Sequence, residues 1–525
     1  MGTSQVYISH LNIPNVNLAP HYLSHRKPVW SDLLALVSGA LLPLAYAPVS
    51  LFPLAILAPA VLFALWQGAT PGRAAWRGFL FGLGQFGVGV GWLYIALHEY
   101  GGMHGLLVFP LLLMFIAFLA GYPALVGWLQ ARILIQAPAG DAPAWQGIWV
   151  LPALWVVLEW MRGWFLTGFP WLDLGYSQID SPLAGFAPWL GVYGVSFAVV
   201  ASAALLALAL RYGRRGWRYW VVLLLLWSSA WLAGQQSWVV PDGKPLRAAL
   251  IQGNVALAKK WSPNYRMEIV QRYAALTQEQ HHVDLVVWPE AALPATLDEL
   301  EEGYIPQLER LAASRHMDIL LGVLEQGYIN GDRTYYNSVL SIGAQPGVYR
   351  KHHLVPFGEY LPLQGLLRWL TNYLYIPMSD FSPGEAGQGN LRAAGRSVGI
   401  SICYEDAFGR EVRRTLPQAS FLVNVSEDAW YGDSWAPHQH QQMARMRALE
   451  TSRPMLRATN TGITAIIDHR GVELARAPQF TVQVLKGEIQ PMQGATPFVR
   501  FGNTPVMVLA FLILVAVIAW RWRRN

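Results

Sequence analysis

A bundle of about eight transmembrane helices carrying one extracytoplasmic α/β domain is the fold class this sequence predicts, and three observations predict it. Of 525 residues, 54% are hydrophobic and only 13% charged, against about 25% charged in ordinary soluble proteins. The long uncharged runs fall almost entirely within 29–240 and 504–520, whereas 241–500 reads like a soluble protein. In that soluble stretch, short β-rich runs alternate with helical ones. The division is a seven-helix membrane domain at 1–240, an α/β domain at 241–500, and a C-terminal transmembrane helix with a basic tail at 501–525.

Crossing the hydrocarbon core takes roughly 20 mostly apolar residues. Candidate spans are 29–47, 50–67, 77–97, 104–129, 148–166, 185–210, 219–237 and 504–520. Pro and Gly interrupt several of them, which neighbouring helices tolerate in a bundle. If the N-terminus is cytoplasmic, one side of the membrane receives Arg26, Lys27, Arg73, Arg77, Arg132, Arg211, Arg214, Arg215, Arg218, Arg521, Arg523 and Arg524, and the other side's short connections only Arg162. That asymmetry sets both termini inside and the 241–500 domain outside the cytoplasm, away from ATP and cytosolic acyl-CoA. The net charge of +6 is therefore a matter of loops, and no nucleic acid partner follows from it. Trp30, Trp66, Trp92, Trp128, Trp149, Trp217 and Trp238 flank the spans, where interfacial anchoring explains them. Glu159 and Arg162 are expected to pair on one helix face, a lipid headgroup contact being the alternative. No cleavable signal peptide is expected, because the first apolar run begins near Val29 and further spans follow it.

A single cysteine excludes an intrachain disulfide and a cysteine-based zinc site. In the α/β domain strands are read at 247–252, 284–288, 318–323, 337–342, 397–403 and 420–425, with helices at 265–279, 298–314, 406–415 and 437–450. Strands that are apolar on both faces and separated by helices imply a sheet covered on both sides. Catalytic groups in such folds usually stand at strand ends.

Three strand ends offer three chemical types. AspLeuValValTrpProGlu ends at Glu290, with Pro289 stopping the ladder and turning the carboxylate out of the sheet. TyrArgLysHisHisLeuValProPheGlyGluTyr presents Lys351 and Glu359 on a loop after a strand, and SerValGlyIleSerIleCysTyrGluAsp runs a strand into Cys403, a helix beginning after Glu405. Taken singly, the thiol is a small buried hydrophobe, the carboxylate a cap and the lysine a surface residue. Taken together they are a base, an ammonium and a nucleophile. An ordinary thiol, with a pKa of about 8.5, needs such a base or cation to attack. Glu290 can take its proton, and Lys351 with the Tyr404 N–H can hold the charge developing on a carbonyl oxygen.

At these residues the sequence resembles the carbon–nitrogen hydrolase, or nitrilase, superfamily, whose Glu-Lys-Cys triad matches Glu290, Lys351 and Cys403 over roughly 246–490. LysTrp at 260–261, TrpProGluAlaAlaLeuPro at 288–294, HisLeuValProPheGlyGlu at 353–359, IleCysTyrGlu at 402–405 and ArgAlaThrAsnThrGlyIleThrAla at 457–465 carry the resemblance, which with the flanking spans extends to the superfamily's membrane-embedded lipoprotein acyltransferases. The resemblance implies an αββα sandwich and a monomer in the bacterial inner membrane, with its catalytic domain on the periplasmic side. It implies acyl transfer from a phospholipid, typically phosphatidylethanolamine, through a Cys403 thioester to the α-amine of a diacylglyceryl apolipoprotein. No cofactor or metal is implied. Glu359 would support the lysine or its loop, Tyr404 and Glu405 would shape the nucleophile's surroundings, and Trp261 would lie in an entrance loop. One departure is SerGluAspAlaTrpTyrGly at 426–432, where the family usually has Asn at the position of Glu427.

The 361–377 run is too apolar for a solvated loop and is expected to dip into the outer leaflet and line the acyl-chain entrance with Trp369 and Tyr373; packing on the domain's own core is the alternative. His438 and His440 lack a third ligand and are not read as a metal site, and His281, His282, His352 and His353 are read as surface or loop residues. Two rival functions remain. A membrane-anchored amidase or nitrilase would use water as second nucleophile, and a non-catalytic lipid-binding or transport protein would show charged helices converging at mid-membrane.

Overall fold

In a computed structural model, residues 28–134, 144–329, 331–360 and 381–523 are described. Apolar helices stand at all eight predicted places: Pro28–Leu41, Leu54–Trp66, Pro71–Gly89, Gly105–Leu134, Ala144–Arg162, Ala187–Tyr212, Trp217–Ala233 and Thr504–Trp522. Their lengths are less even than the sequence reading had them. Among the described residues, three apolar helical runs are long enough to cross a membrane, Gly105–Leu134, Pro182–Ala233 and Thr504–Trp522, and a fourth is so only if Pro71–Gly89 and Leu93–Tyr100, bent by 61°, count as one span. The 52-residue run Pro182–Ala233 folds back on itself, because Trp227 Nε1 donates to Ser202 Oγ at 3.1 Å and Gly185 lies against the Ala230 carbonyl. The predicted span at 77–97 breaks at Val90, where φ is −123° between Gly89 and Gly91.

Basic residues gather at one end of the bundle. Arg211 bonds Gln67, Arg521 bonds the Arg132 carbonyl, and Arg73 and Arg77 both reach Asp32. The opposite end carries the α/β domain. Here the expected Glu159–Arg162 pair is replaced by another: Arg162 binds Asp173 and the Trp171 carbonyl, while Glu159 accepts from Trp155 Nε1 and Leu174 N at 3.0 and 2.9 Å. The chain turns back at Phe165–Thr167, bringing a carboxylate within the guanidinium's reach that no helical spacing reveals.

The α/β domain has two six-stranded sheets and a short pair, β1 (Val239–Pro241) with β14 (Met492–Gly494). One sheet has the order β13-β2-β3-β4-β5-β6 and holds β2 (Leu246–Gln252), β3 (Leu285–Val287), β4 (Asp318–Ile329), β5 (Asp332–Ile342), β6 (Gly347–Arg350) and β13 (Gln483–Ile489). The other has the order β12-β11-β10-β9-β8-β7, from β7 (Leu391–Ala393), β8 (Arg396–Ile402), β9 (Phe421–Ser426), β10 (Met455–Thr459), β11 (Ala465–Ile467) and β12 (Glu473–Arg476). Strand alternation sorts the layers. Ala248, Leu250, Leu285 and Val287 face Ile400, Phe421, Val423 and Leu456 in the core between the sheets. Ala249, Ile251, Val286 and Ile319 point the other way, onto the helices Arg266–Gln278 and Ile305–Arg315. Leu422 and Met455 pack under the helix Ala436–Thr451. The result is the expected αββα sandwich.

Ala436–Thr451 has polar residues all round and is almost wholly buried. Its polar face meets the bundle: Trp171 Nε1 donates to Gln439 at 2.6 Å, Ala47 N to Gln442 at 3.1 Å, and Arg447 to the Tyr176 hydroxyl at 3.1 Å. Such a helix, lacking an apolar stripe, is stable only where partners satisfy it on every side. A helix expected over 406–415 is instead a 3₁₀ turn from Cys403 to Ala407, the short helix Gly409–Val412 and another turn.

Candidate active site

Glu290 stands just past β3. Trp288 N still bonds the Leu320 carbonyl at 2.8 Å, Pro289 has no N–H to offer, and Ala291 takes a φ of +43°. The neighbouring strand must be glycine at 322, since a Cβ there would lie 2.1 Å from the Pro289 oxygen. The buried Glu290 carboxylate accepts from Asn337 Nδ2 at 2.6 Å and from Glu427 N at 2.7 Å, with Lys351 Nζ at 3.4 Å. Lys351, one residue beyond β6, is 1% exposed. Its ammonium binds Glu359 at 2.8 Å, and its backbone N bonds the Asn337 carbonyl at 2.7 Å. Burial pulls the lysine pKa down, but Glu359, Glu290 and the Cys403 sulfur more than reverse it, so it stays protonated.

Cys403 ends β8 with φ +52°, the left-handed region that costs a non-glycine residue about 1–3 kcal/mol. The thiol is buried. Burial pushes its pKa well up, Glu290 adds to that, and Lys351 and a Ser426 hydrogen bond oppose it. The resting group is therefore a thiol in electrostatic contact with a carboxylate and an ammonium, and nucleophilic attack requires a base. The structure thus brings Glu290, Lys351 and Cys403 into one cluster, with Glu359 as the lysine's nearest carboxylate.

Glu405 and Tyr404 act in different directions. Glu405 lies inside the 3₁₀ turn rather than before a helix, and its two oxygens accept from Ile402 N, His352 N, His353 N and the Tyr349 hydroxyl at 2.7–3.1 Å. It thereby ties the nucleophile's turn to the lysine's loop, although burial raises its pKa against those N–H groups. The Tyr404 hydroxyl donates to the Gly168 carbonyl at 3.2 Å, reaching the membrane domain, and its ring stacks with Trp171 at 6.3 Å. His353 is no free loop residue: it stacks on Phe408 at 3.8 Å and bonds Glu411.

Behind the cysteine lies a network that strand and helix periodicity did not announce. Asn424 Nδ2 and His440 Nε2 meet the Cys403 carbonyl at 3.1 and 3.2 Å. Arg457, opposite Asn424 in the β9–β10 register, bonds Asn424, Asp406 and Asp428, and His440 bonds Asp406 at 2.7 Å. All four ionisable side chains are at 0% exposure. Burial raises Asp428, but Arg457 and His440 more than reverse it and hold the carboxyl well below its usual range. His440, read from sequence only as a weak metal candidate, has its nitrogens occupied here. Arg457, which opens the ArgAlaThrAsnThrGlyIleThrAla motif, is also the one charge in the β10 run MetLeuArgAlaThr, and a charge in such a run signals a buried partner.

Trp261 is 40% exposed and lines a groove of about 470 Å³ with Arg266, Thr296, Tyr335 and Phe381. Trp369 and Tyr373, with the rest of the 361–377 segment, lie outside the described residues. Glu427, the departure noted above, is buried and salt-bridged to Lys260 at 2.6 Å.

Residues 38–205 match the family model of the apolipoprotein N-acyltransferase N-terminal domain, and 247–497 that of carbon-nitrogen hydrolase. An apolipoprotein N-acyltransferase of Methylococcus capsulatus is 45% identical over 94% of this chain and 96% of its own. The chain belongs to the apolipoprotein N-acyltransferase family. A second apolipoprotein N-acyltransferase, of Nitrosomonas europaea, is 46% identical over 92% of this chain and 95% of its own. A solved carbon-nitrogen hydrolase from Helicobacter pylori G27 aligns at 17% identity and TM-score 0.36, over 47% of this chain and 89% of that one.

Proposed function

We propose that this chain N-acylates apolipoproteins in two steps, with Cys403 carrying the acyl group as a thioester. The observation that carries the proposal is a buried thiol within the electrostatic reach of the Glu290–Lys351 pair, whose charges lie 3.4 Å apart, with the next residue, Tyr404, bonded to the membrane domain. In the first step Glu290 takes the thiol proton and the sulfur attacks the ester carbonyl of a membrane phospholipid. The Lys351 ammonium and the Tyr404 N–H stabilise the oxyanion. The tetrahedral intermediate collapses, and the lysophospholipid alcohol leaves with the proton from Glu290. In the second step the α-amine of a diacylglyceryl cysteine attacks the thioester and gives its proton to Glu290, and the departing thiolate recovers it.

The same reading puts eight spans in a bacterial inner membrane, both termini in the cytoplasm and the sandwich in the periplasm. Its support is the arginine-rich end of the bundle opposite the α/β domain. Phosphatidylethanolamine is the proposed donor, Trp261 a groove wall, Trp369 and Tyr373 part of the entrance, and the working unit a monomer.

Acyl-enzyme trapping tests this. Purified protein is incubated with phospholipid bearing a labelled acyl chain, and hydroxylamine-labile label is sought on the chain. The expected label is absent in Cys403→Ser and chases onto a diacylglyceryl peptide faster than onto water. Label lost to water at the same rate would mean a hydrolase, and no label on folded protein would end the covalent reading.

A further inference from the structure

Glu290 is gripped from a side that the proposed chemistry does not use. Lys260, 1% exposed, donates through Nζ to the Glu290 carbonyl at 3.2 Å and to Glu427 Oε2 at 2.6 Å. Glu427 donates its backbone N–H to Glu290 Oε2 at 2.7 Å. Its carboxylate also accepts from Asn460 Nδ2 at 2.9 and 3.1 Å and from Ala429 N at 3.3 Å. Asn460 in turn bonds Val255 through both ends of its amide, at 2.7 and 2.9 Å, which fixes the start of the turn Leu257–Lys260 that ends at Trp261. One ion pair thus joins the groove wall, the backbone of the base and the end of β9.

We propose that Lys260 and Glu427 are positioning residues for Glu290: their buried ion pair fixes the Lys260 Nζ that holds the base's carbonyl and the Glu427 backbone N–H that holds its carboxylate, and makes the Trp261 turn part of the same rigid unit. Its charge balance matters as much as its geometry. Glu290 is faced by Lys351 and Glu359 from the lysine's loop, by Lys260 from the Trp261 turn, by Glu427 from the end of β9, and by Cys403 and Tyr431. Cys403 is faced by Glu290, Lys351, Asp428, Arg457 and Tyr431. Removing Lys260 leaves an unbalanced carboxylate beside Glu290; removing the Glu427 charge leaves an unbalanced ammonium. An unpaired charge a few ångströms away shifts a neighbouring group by about one pH unit or more.

The inference builds on the proposed role of Glu290, but its test does not need acyl transfer. Cys403 is the only cysteine, so the pH midpoint of its alkylation by iodoacetamide reads the local charge directly in the full-length protein. Lys260→Met should raise that midpoint by about one unit, Glu427→Gln should lower it by a similar amount, and the double variant should return it toward wild type. In the acyl-enzyme assay each single variant should slow thioester formation at least tenfold, and the double should recover most of both losses. If Lys260→Met does not fold, Lys260→Gln keeps a donor to the Glu290 carbonyl without the charge and reads the same midpoint. Unmoved midpoints with lowered melting temperatures would overturn the proposal, as would singles that shift in the same direction. Wild-type protein that forms no thioester would end the acyltransferase reading but leave the midpoints to decide this one.

Discussion

Two buried polar clusters flank Cys403, and they are built on opposite plans. Behind it, Arg457, His440, Asp406 and Asp428 form a closed set at 0% exposure, two cations facing two carboxylates when His440 is protonated. Asp406 and Asp428 lift the His440 pKa against burial and Arg457. In front, Lys351 is shared between two carboxylates, Glu290 and Glu359, at 3.4 and 2.8 Å. The rear cluster has its proton acceptors committed to fixed donors and holds the strained Cys403 carbonyl in place. The front keeps the Glu290 carboxylate within electrostatic reach of a thiol that burial holds protonated. A network that pins a backbone carbonyl fixes geometry, and one in which a single ammonium serves two carboxylates leaves negative charge beside the thiol to accept a proton.

Substituting Lys351 should break that contrast hardest. Lys351→Met leaves Glu290 and Glu359 buried without their cation and removes the oxyanion's positive partner, so thioester formation per folded molecule should fall by about 10²–10³ or more. Arg457→Met should act differently: taking the guanidinium from two buried aspartates that keep only His440 and Ser426 costs about 3–5 kcal/mol of stability, while the rate per folded molecule falls less than for Lys351→Met. Denaturant melts and single-turnover labelling of the same samples separate the two quantities. Equal rate losses would mean that the rear cluster takes part in the chemistry and the contrast is wrong. Asn337→Ala should fall between them. It removes the 2.6 Å bond to Glu290, and a hydrogen bond to a charged group is worth about 1.5–3 kcal/mol, which corresponds to roughly 10–100-fold in rate.

The front cluster was far more legible in the sequence than the rear one, for a physical reason. Glu290, Lys351 and Cys403 each follow a strand directly, and a strand that breaks at Pro289 or runs into a charged loop leaves a readable mark. The β2, β3, β4, β5, β8 and β9 strands were similarly visible through their apolar runs. Asp406, Asn424, Asp428, His440 and Arg457 gather through parallel pairing of β8, β9 and β10 and the return of the helix Ala436–Thr451, contacts 17–51 residues apart in the chain. Periodicity carries no information about such pairings. The helix expected over 406–415 failed because local propensity lost to the strained turn at Cys403 and the four bonds that hold Glu405. Nor could composition show that Arg162 would choose Asp173 over Glu159.

The smallest expected effects lie in the pH dependence of stability, and their signs separate the clusters. Asp428 has its folded pKa held below the usual value of about 3.9. It therefore contributes stability above that value and loses it as pH falls toward the folded pKa. The gap in denaturant stability between wild type and Asp428→Asn should close below about pH 4. Cys403 is shifted the other way: burial raises its folded pKa above the ordinary value of about 8.5. Its contribution is complete below that pH and disappears as pH rises through the folded value, because the unfolded chain ionises first. Cys403→Ala should accordingly gain on wild type above about pH 8.5 and show no such gain at neutral pH. If wild type and Cys403→Ala instead lost stability in parallel through the alkaline range, the thiol would have to ionise as readily in the folded protein as in the unfolded chain. Glu290 would then face an ordinary thiol rather than one that burial holds protonated, and the front cluster would lose the feature that sets it apart from the rear.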